Sequence, residues 1–134
     1  MITLKSTKKG LGVAIEGETL VLKNAFSARY DLDVKTGKFL RPGLAEEDAS
    51  VAGKVLVADR AKGGVASSWL LREMVRLGTA PAALVFNNAG PVMVQAAAFA
   101  GITLLDGFEE DVTEAIPNKL QVSVDPQEKT ITPV

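Results

Sequence analysis

The chain contains no cysteine and no histidine among its 134 residues. Without cysteine no disulfide can form, which fits a reducing compartment, and a cytoplasmic location is expected. Cys/His zinc sites and thiolate-held iron–sulfur clusters are excluded within this chain. Without histidine a Ser-His-Asp triad is impossible, as is a phosphohistidine carrier. Metal ligands are therefore not expected from this chain. Aromatic residues are only 5% of the total, too few for a stacking platform on single-stranded nucleic acid. Fifteen basic and 16 acidic residues leave a formal net charge of −1, with no basic footprint for nucleic acid or an anionic membrane. No apolar run approaches the roughly 18 residues of a membrane span. The N-terminus lacks the apolar stretch of a signal peptide.

What is present is a foldable core. Hydrophobic residues make up 47% of the chain, and its length suits one domain, taken as residues 1–134. Residues 1–52 carry short alternating segments. Leu11–Ile15 and Thr19–Leu22 flank Glu16-Gly17-Glu18 and read as a hairpin. An alternating run over 25–34 leads to a turn at Lys35-Thr36-Gly37-Lys38. Arg41-Pro42-Gly43 and Glu46-Glu47-Asp48 read as an exposed loop.

The second half alternates strand and helix. Lys54–Ala58 is a continuous apolar run, as in a strand buried on both faces. Ser68–Leu77 has helical spacing, with Leu70, Leu71, Met74 and Val75 on one face and Gly78 as the stop. Ala82–Phe86 is a second strand. Pro91 opens a helix over Val92–Ala100 that ends at Gly101. That helix is apolar almost all round, which calls for burial or a covering partner. Ile102–Leu105 is a third strand. Leu120–Val124 and Thr130–Thr132 form a closing hairpin. The expected fold is α/β, with a parallel βαβαβ core and added antiparallel hairpins.

Ligands in parallel sheets bind beyond the carboxyl ends of the strands. The loops placed there are Asp59–Ser67 and Asn87–Gly90. The first delivers Ser67 and Ser68 to a helix start, where free N–H groups suit a carboxylate or phosphate. One serine is expected to be the N-cap. Lys62-Gly63-Gly64 allows close ligand approach but is not a Walker loop. Asn87-Asn88-Ala89-Gly90 also occurs in short-chain dehydrogenases. Their Tyr-x-x-x-Lys pair is absent here, since Tyr30 is followed four residues later by Val34, so the four residues read as a polar turn. Asp106 lies at the same sheet end, either facing the site or turning with Gly107. Glu109-Glu110-Asp111 reads as a solvated loop.

With this loop in view, the chain resembles the small, swivelling subunit of the aconitase X group of hydro-lyases. The resemblance covers nearly the whole chain. It rests on the order and spacing of Val34-Lys-Thr-Gly-Lys, Val51-Ala-Gly-Lys-Val-Leu-Val, the serine-bearing loop, Gly78-Thr-Ala-Pro-Ala-Ala-Leu-Val and Ala100-Gly-Ile-Thr-Leu-Leu-Asp-Gly. It implies a swivelling β/β/α domain that docks on a larger, cysteine-bearing catalytic subunit. That subunit would hold an iron–sulfur cluster or metal ion, leaving this chain without a cofactor of its own and inactive alone. The resemblance further implies a dehydratase acting on a small hydroxy acid. In the wider aconitase superfamily the matching loop carries Gly-Ser-Ser, and a serine there is the catalytic base. The corresponding residues here are Ser67 and Ser68, with Ser68 ranked first. Arg60, Lys62, Gly63 and Gly64 are the expected substrate-binding residues. Val65 and Ala66 stand where the group has polar residues.

Two substrates follow from the group: cis-3-hydroxy-L-proline, favoured by the modest basic character of Arg60 and Lys62, and a phosphorylated mevalonate as the alternative. A non-catalytic binding or assembly module of the same fold is the other reading, motivated by Val65-Ala66.

Overall fold

The computed structural model describes residues 1–22, 26–27, 31–40, 43–62 and 66–134. Its strands are β1 (Leu4–Lys5), β2 (Ile15–Val21), β3 (Val55–Arg60), β4 (Ala83–Asn88), β5 (Thr103–Leu105), β6 (Gln121–Asp125) and β7 (Thr130–Pro133). Its helices are α1 (Ala66–Leu77), α2 (Gly90–Ala100) and the short α3 (Val112–Ala115). The strands form one mixed seven-stranded sheet in the order β1-β7-β6-β2-β3-β4-β5. β2, β3, β4 and β5 run parallel, and β6, β7 and β1 add antiparallel pairs on the β2 side. The expected βαβαβ core and the closing hairpin are both present.

Alternation along the parallel strands sends side chains to two cores, because successive residues point to opposite faces. Leu56, Ala58, Leu84, Phe86 and Leu104 pack with Leu71 and Met74 of α1 and with Met93, Ala96 and Ala97 of α2. Val55, Val57, Ala83, Val85 and Leu105 pack on the other face with Val112 and Ile116 beside α3, and with Val122, Val124 and Ile131. Burial on both faces is why β3 and β4 read as unbroken apolar runs.

The expected hairpin at Glu16-Gly17-Glu18 is absent. Ile15–Val21 is one strand, and Gly17 pairs with Val122 within it. Gly17 is there for proximity rather than for a turn: a Cβ on it would lie 3.1 Å from the Gly53 carbonyl oxygen and 3.2 Å from a Val55 methyl. Leu11 instead exchanges backbone hydrogen bonds with Leu104 (2.8 and 3.0 Å), which covers the free edge of β5. The turn before Lys38 forms as expected, with the Gly37 N–H donating to the Asp33 carbonyl at 2.7 Å and Gly37 at φ 74°. Parts of the expected alternating run (25 and 28–30) and of the Arg41-Pro42 loop lie outside the described residues.

Both glycine helix stops hold. Gly78 and Gly101 have φ of 79° and 76°, and the residue after each donates back to the last turn, Thr79 to Met74 and Ile102 to Ala97. The buried stripe of α1 differs from the expected one. It is Ser67, Leu71 and Met74, spaced i, i+4, i+7, while Leu70 is half-buried and Val75 is exposed. The helix starts two residues earlier than its apolar pattern suggested, so its inner face begins on a serine. α2 is not buried all round: Met93, Ala96, Ala97 and Ala100 face inward, and Val92 and Phe99 are exposed.

Candidate functional site

β3 and β4 are in register from Val55 against Ala83 to Arg60 against Asn88, so the chain leaves both strands side by side. Ala61 and Lys62, just past β3, therefore lie next to the start of α2. Between them is a small recess of about 200 Å³, lined by Ala61, Lys62, Ser67, Ala89, Gly90, Pro91, Val92 and Met93. It lies beyond the carboxyl ends of parallel strands, as the sequence led one to expect.

Ser67 is 1% exposed, and its Oγ has no hydrogen-bond partner among the described residues. α1 begins at Ala66, so Ser67 and Ser68 lie inside the first turn. Ser67 is therefore not a side-chain cap. A buried hydroxyl without a partner is rare, because desolvation is then uncompensated. Ser68 is half-buried and opens elsewhere, onto a shallow surface shared with Trp69, Gln95 and Phe99. Adjacent helical residues are about 100° apart, so one turn sends the two hydroxyls to different surfaces. No acidic residue occupies this first turn, which leaves the positive end of α1 uncompensated by its own side chains.

Of the expected ligand residues that the structure describes, Arg60 and Lys62, only Lys62 joins Ser67 in the recess. The Arg60 side chain is 70% exposed, lies 3.7 Å from the Asp59 carboxylate and is not part of the lining. Gly63, Gly64 and Val65 lie outside the described residues.

The expected polar turn is absent as such: β4 runs through Asn88 and the next helix starts at Gly90, and the two asparagines have structural work. The Asn87 amide nitrogen donates to Asp59 at 2.9 Å and to Asp111 at 3.0 Å, and its oxygen accepts from the Val112 N–H at 2.9 Å. Asn88 Oδ1 accepts from the Gly90 N–H at 3.2 Å. Asp106 is 4% exposed and does not point into the recess as a free group. One carboxylate oxygen accepts from the Ala89 N–H at 2.9 Å, and the other lies 3.5 Å from the Lys8 ammonium. Glu109, Glu110 and Asp111 are all exposed, as expected, and Asp111 in addition caps α3 by accepting from the Thr113 N–H.

Sequence reasoning missed Ser27. The Phe26 N–H donates to the Arg60 carbonyl at 2.9 Å and the Phe26 carbonyl accepts from the Lys62 N–H at 2.6 Å, which lays this segment along the loop. Ser27 is 5% exposed with an unpartnered Oγ, and its N–H donates to the buried Asp31 at 2.8 Å. A lone serine in an apolar run carries no signal that could have revealed this.

On the outer side of α1 and α2, Trp69 meets Phe99 edge to face, with ring centroids 5.3 Å apart, and the Arg72 guanidinium lies 4.6 Å from the Phe99 ring centre. No group of three or more acidic, His or Cys residues among the described residues is arranged to hold a metal. No described helix is long and apolar enough to cross a membrane.

A mixed sheet with crossover helices on one face, and an unsatisfied serine at a helix start, defines a swivel-type α/β domain. The chain belongs to the aconitase X swivel domain family, whose model matches residues 5–133. It is 29% identical over 126 residues to the phosphomevalonate dehydratase small subunit of Pyrococcus horikoshii, covering 93% of this chain and 92% of that one. To the protein of the same name from Methanocella arvoryzae it is 32% identical over 109 residues, covering 81% and 83%. In three dimensions it is similar to a chain in the crystal structure of Thermococcus kodakaraensis aconitase X (holo-form). The TM-score is 0.90 at 25% identity, covering 100% of this chain and 99% of that one.

Proposed function

We propose that this chain is the small subunit of an aconitase X-type dehydratase, and that its substrate is a phosphorylated mevalonate. The names of the relatives favour that alternative over cis-3-hydroxy-L-proline. Arg60 pairs with Asp59 and lies outside the recess, so Lys62 is the cation this chain brings to it and further anionic groups of the substrate fall to the larger subunit. The observation that carries the enzyme reading is the buried, unpartnered Ser67 hydroxyl at the start of α1, with Lys62 in the same recess.

Dehydration takes a proton from the carbon beside a carboxylate and expels hydroxyl from its neighbour. Ser68 is the base in this reading. A serine alkoxide needs nearby positive potential, and the first turn of α1 supplies it without an opposing acidic side chain. Ser67 and Lys62 bind. This chain offers no ligand set for an iron–sulfur cluster, so such a group belongs to the larger subunit. Ser68 opens onto Trp69 and Phe99, an apolar surface suited to a shared interface.

The test is a dehydration assay of this chain with its larger, cysteine-bearing partner. Turnover of phosphorylated mevalonate is expected, and Ser68→Ala should lower kcat by about 10² to 10⁴. Turnover of cis-3-hydroxy-L-proline alone would reverse the substrate assignment. A Ser67→Ala/Ser68→Ala pair with unchanged kcat would remove the serines from the mechanism. A wild-type pair inert on both substrates would favour the assembly-module reading, for which the apolar pair Val65-Ala66 in the sequence is the motive.

A further inference from the structure

We infer that Asp31, a buried carboxylate outside the recess lining, is a positioning residue that fixes where Lys62 meets the ligand. The inference rests on the dehydratase reading for what Lys62 binds, while the backbone clamp that it invokes stands apart from that reading. β3 ends at Arg60, and the chain there leaves the ladder it shares with β4. What holds the next two residues is Phe26. Its N–H donates to the Arg60 carbonyl at 2.9 Å, its carbonyl accepts from the Lys62 N–H at 2.6 Å, and it faces Ala61 in a parallel bridge. The Phe26 ring is fully buried in the core shared with α1 and α2. Lys62 is exposed and carries its ammonium on a flexible four-carbon stem, so the placement of that ammonium starts from this clamp.

Asp31 anchors the other end of the clamp. Its N–H donates to the Ser27 carbonyl at 2.9 Å, and its Oδ2 accepts from the Ser27 N–H at 2.8 Å. Both backbone groups of the residue after Phe26 are therefore tied to Asp31. Asp31 is tied inward in turn. Its carbonyl accepts from the Leu40 N–H at 2.8 Å, and the buried Leu32 beside it bridges to Phe39. That bridge reaches Lys62 through Asp31, Ser27 and Phe26. Asp31 is 2% exposed, and a carboxylate so buried is costly unless it is hydrogen-bonded. For the Ser27 N–H a carboxylate oxygen is a stronger acceptor than an amide oxygen would be, so Asp31 stiffens the link where asparagine would only close it. Stiffness matters at this point, because a shift of about 1 Å in a binding group is enough to weaken what it contributes.

The experiment has two arms. In the first, amide hydrogen exchange is followed by NMR in the full chain, the parent against Asp31→Asn. The Phe26 and Lys62 N–H groups should exchange at least about tenfold faster in the variant, while those of Leu56 and Val85 in the sheet keep the parental rate. In the second, the chain is paired with its larger subunit and assayed on phosphorylated mevalonate. Asp31→Asn should raise KM about threefold to tenfold with kcat within about twofold of the parent, the signature of lost binding rather than lost chemistry. The same change made on Lys62→Ala should raise KM no further, because the two residues act in series. A purely structural role for Asp31 would raise KM or lower kcat equally in both backgrounds. The inference is overturned by that result, by an unchanged KM in Asp31→Asn, by parental exchange at Lys62, or by exchange that quickens equally at Leu56 and Val85. If Asp31→Asn does not fold, Asp31→Glu, which keeps the carboxylate and shifts it by one methylene, goes through both arms with the same outcomes decisive. If the pair turns over no substrate, the dehydratase reading falls and the exchange arm alone decides the clamp.

Discussion

The two cavities that bound the parallel sheet differ in a way that their sizes conceal. The larger, about 420 Å³, lies near the start of β3 and is lined by Glu18, Thr19, Glu46, Asp48, Lys54 and Lys119 among others. Its polar groups answer one another. Lys54 reaches Glu18 at 3.0 Å, Lys119 reaches Glu46 at 2.9 Å, and Thr19 Oγ1 donates to the Pro117 carbonyl at 2.6 Å while accepting from the Leu120 N–H at 3.0 Å. The smaller recess at the other end of β3 holds a hydroxyl with no partner. An unsatisfied group in a buried place marks a site better than volume does, since a folded chain has no structural reason to keep it.

Asp106 tests this contrast most severely. It is the buried group that keeps α2 in place behind the recess, through the Ala89 N–H. Asp106→Ala leaves that buried N–H unpaired and is expected to lower unfolding stability by about 2–3 kcal/mol in a denaturant titration. A loss well under about 1 kcal/mol would mean that Asp106 does not anchor the helix start.

A matched pair of hydroxyl deletions comes next in size. Thr19→Val removes two hydrogen bonds and strands the Leu120 N–H, so stability should fall by about 1–3 kcal/mol. Ser67→Ala removes a group that has no bond to lose and places a better helix former in α1. Stability of the isolated chain should stay level or rise by up to about 1 kcal/mol. Opposite signs from one kind of change at two cavities would confirm that satisfaction separates them. A comparable loss at Ser67 would show that its hydroxyl is structural after all.

Much of this was legible from residue order. The strands Val55–Arg60, Ala83–Asn88 and Thr103–Leu105 follow from apolar runs, and the helix stops at Gly78 and Gly101 from glycine's freedom at positive φ. The serine loop was legible because strand, glycine and helix start fall in sequence. Gly17 was misread because a glycine needed for close approach of another backbone looks the same as one needed for a turn. The inward aim of Ser67 was missed because α1 begins two residues before its apolar pattern does. The burial of Asp106 was missed because its partners, Ala89 and Lys8, are distant in the chain. Long-range pairing of polar groups leaves no local periodicity to read.

The smallest effect belongs to the rim of the larger cavity, and its sign is fixed. Lys119 and Glu46 are both exposed, 2.9 Å apart. The hydrogen bond that Lys119 donates to the Glu46 carboxylate, together with that carboxylate's charge, raises the Lys119 ammonium above the usual lysine value. A group whose folded value is raised contributes its full stabilisation below the unfolded value and loses it as pH climbs through the folded one. The pair's small contribution should therefore be fully present near neutrality and fade in alkaline melts. Glu46→Gln is expected to lower Tm only slightly at pH 7, as befits an exposed pair, and to flatten the decline of Tm above about pH 10, where the two proteins converge. Added salt should mask the difference, because exposed pairs are screened. A large drop in Tm at pH 7, beyond what an exposed pair can give, would mean that this bridge closes the cavity rather than decorating its rim. The larger cavity would then be held shut by a charge pair, and the contrast with the recess would have to be drawn on access as well as on satisfaction.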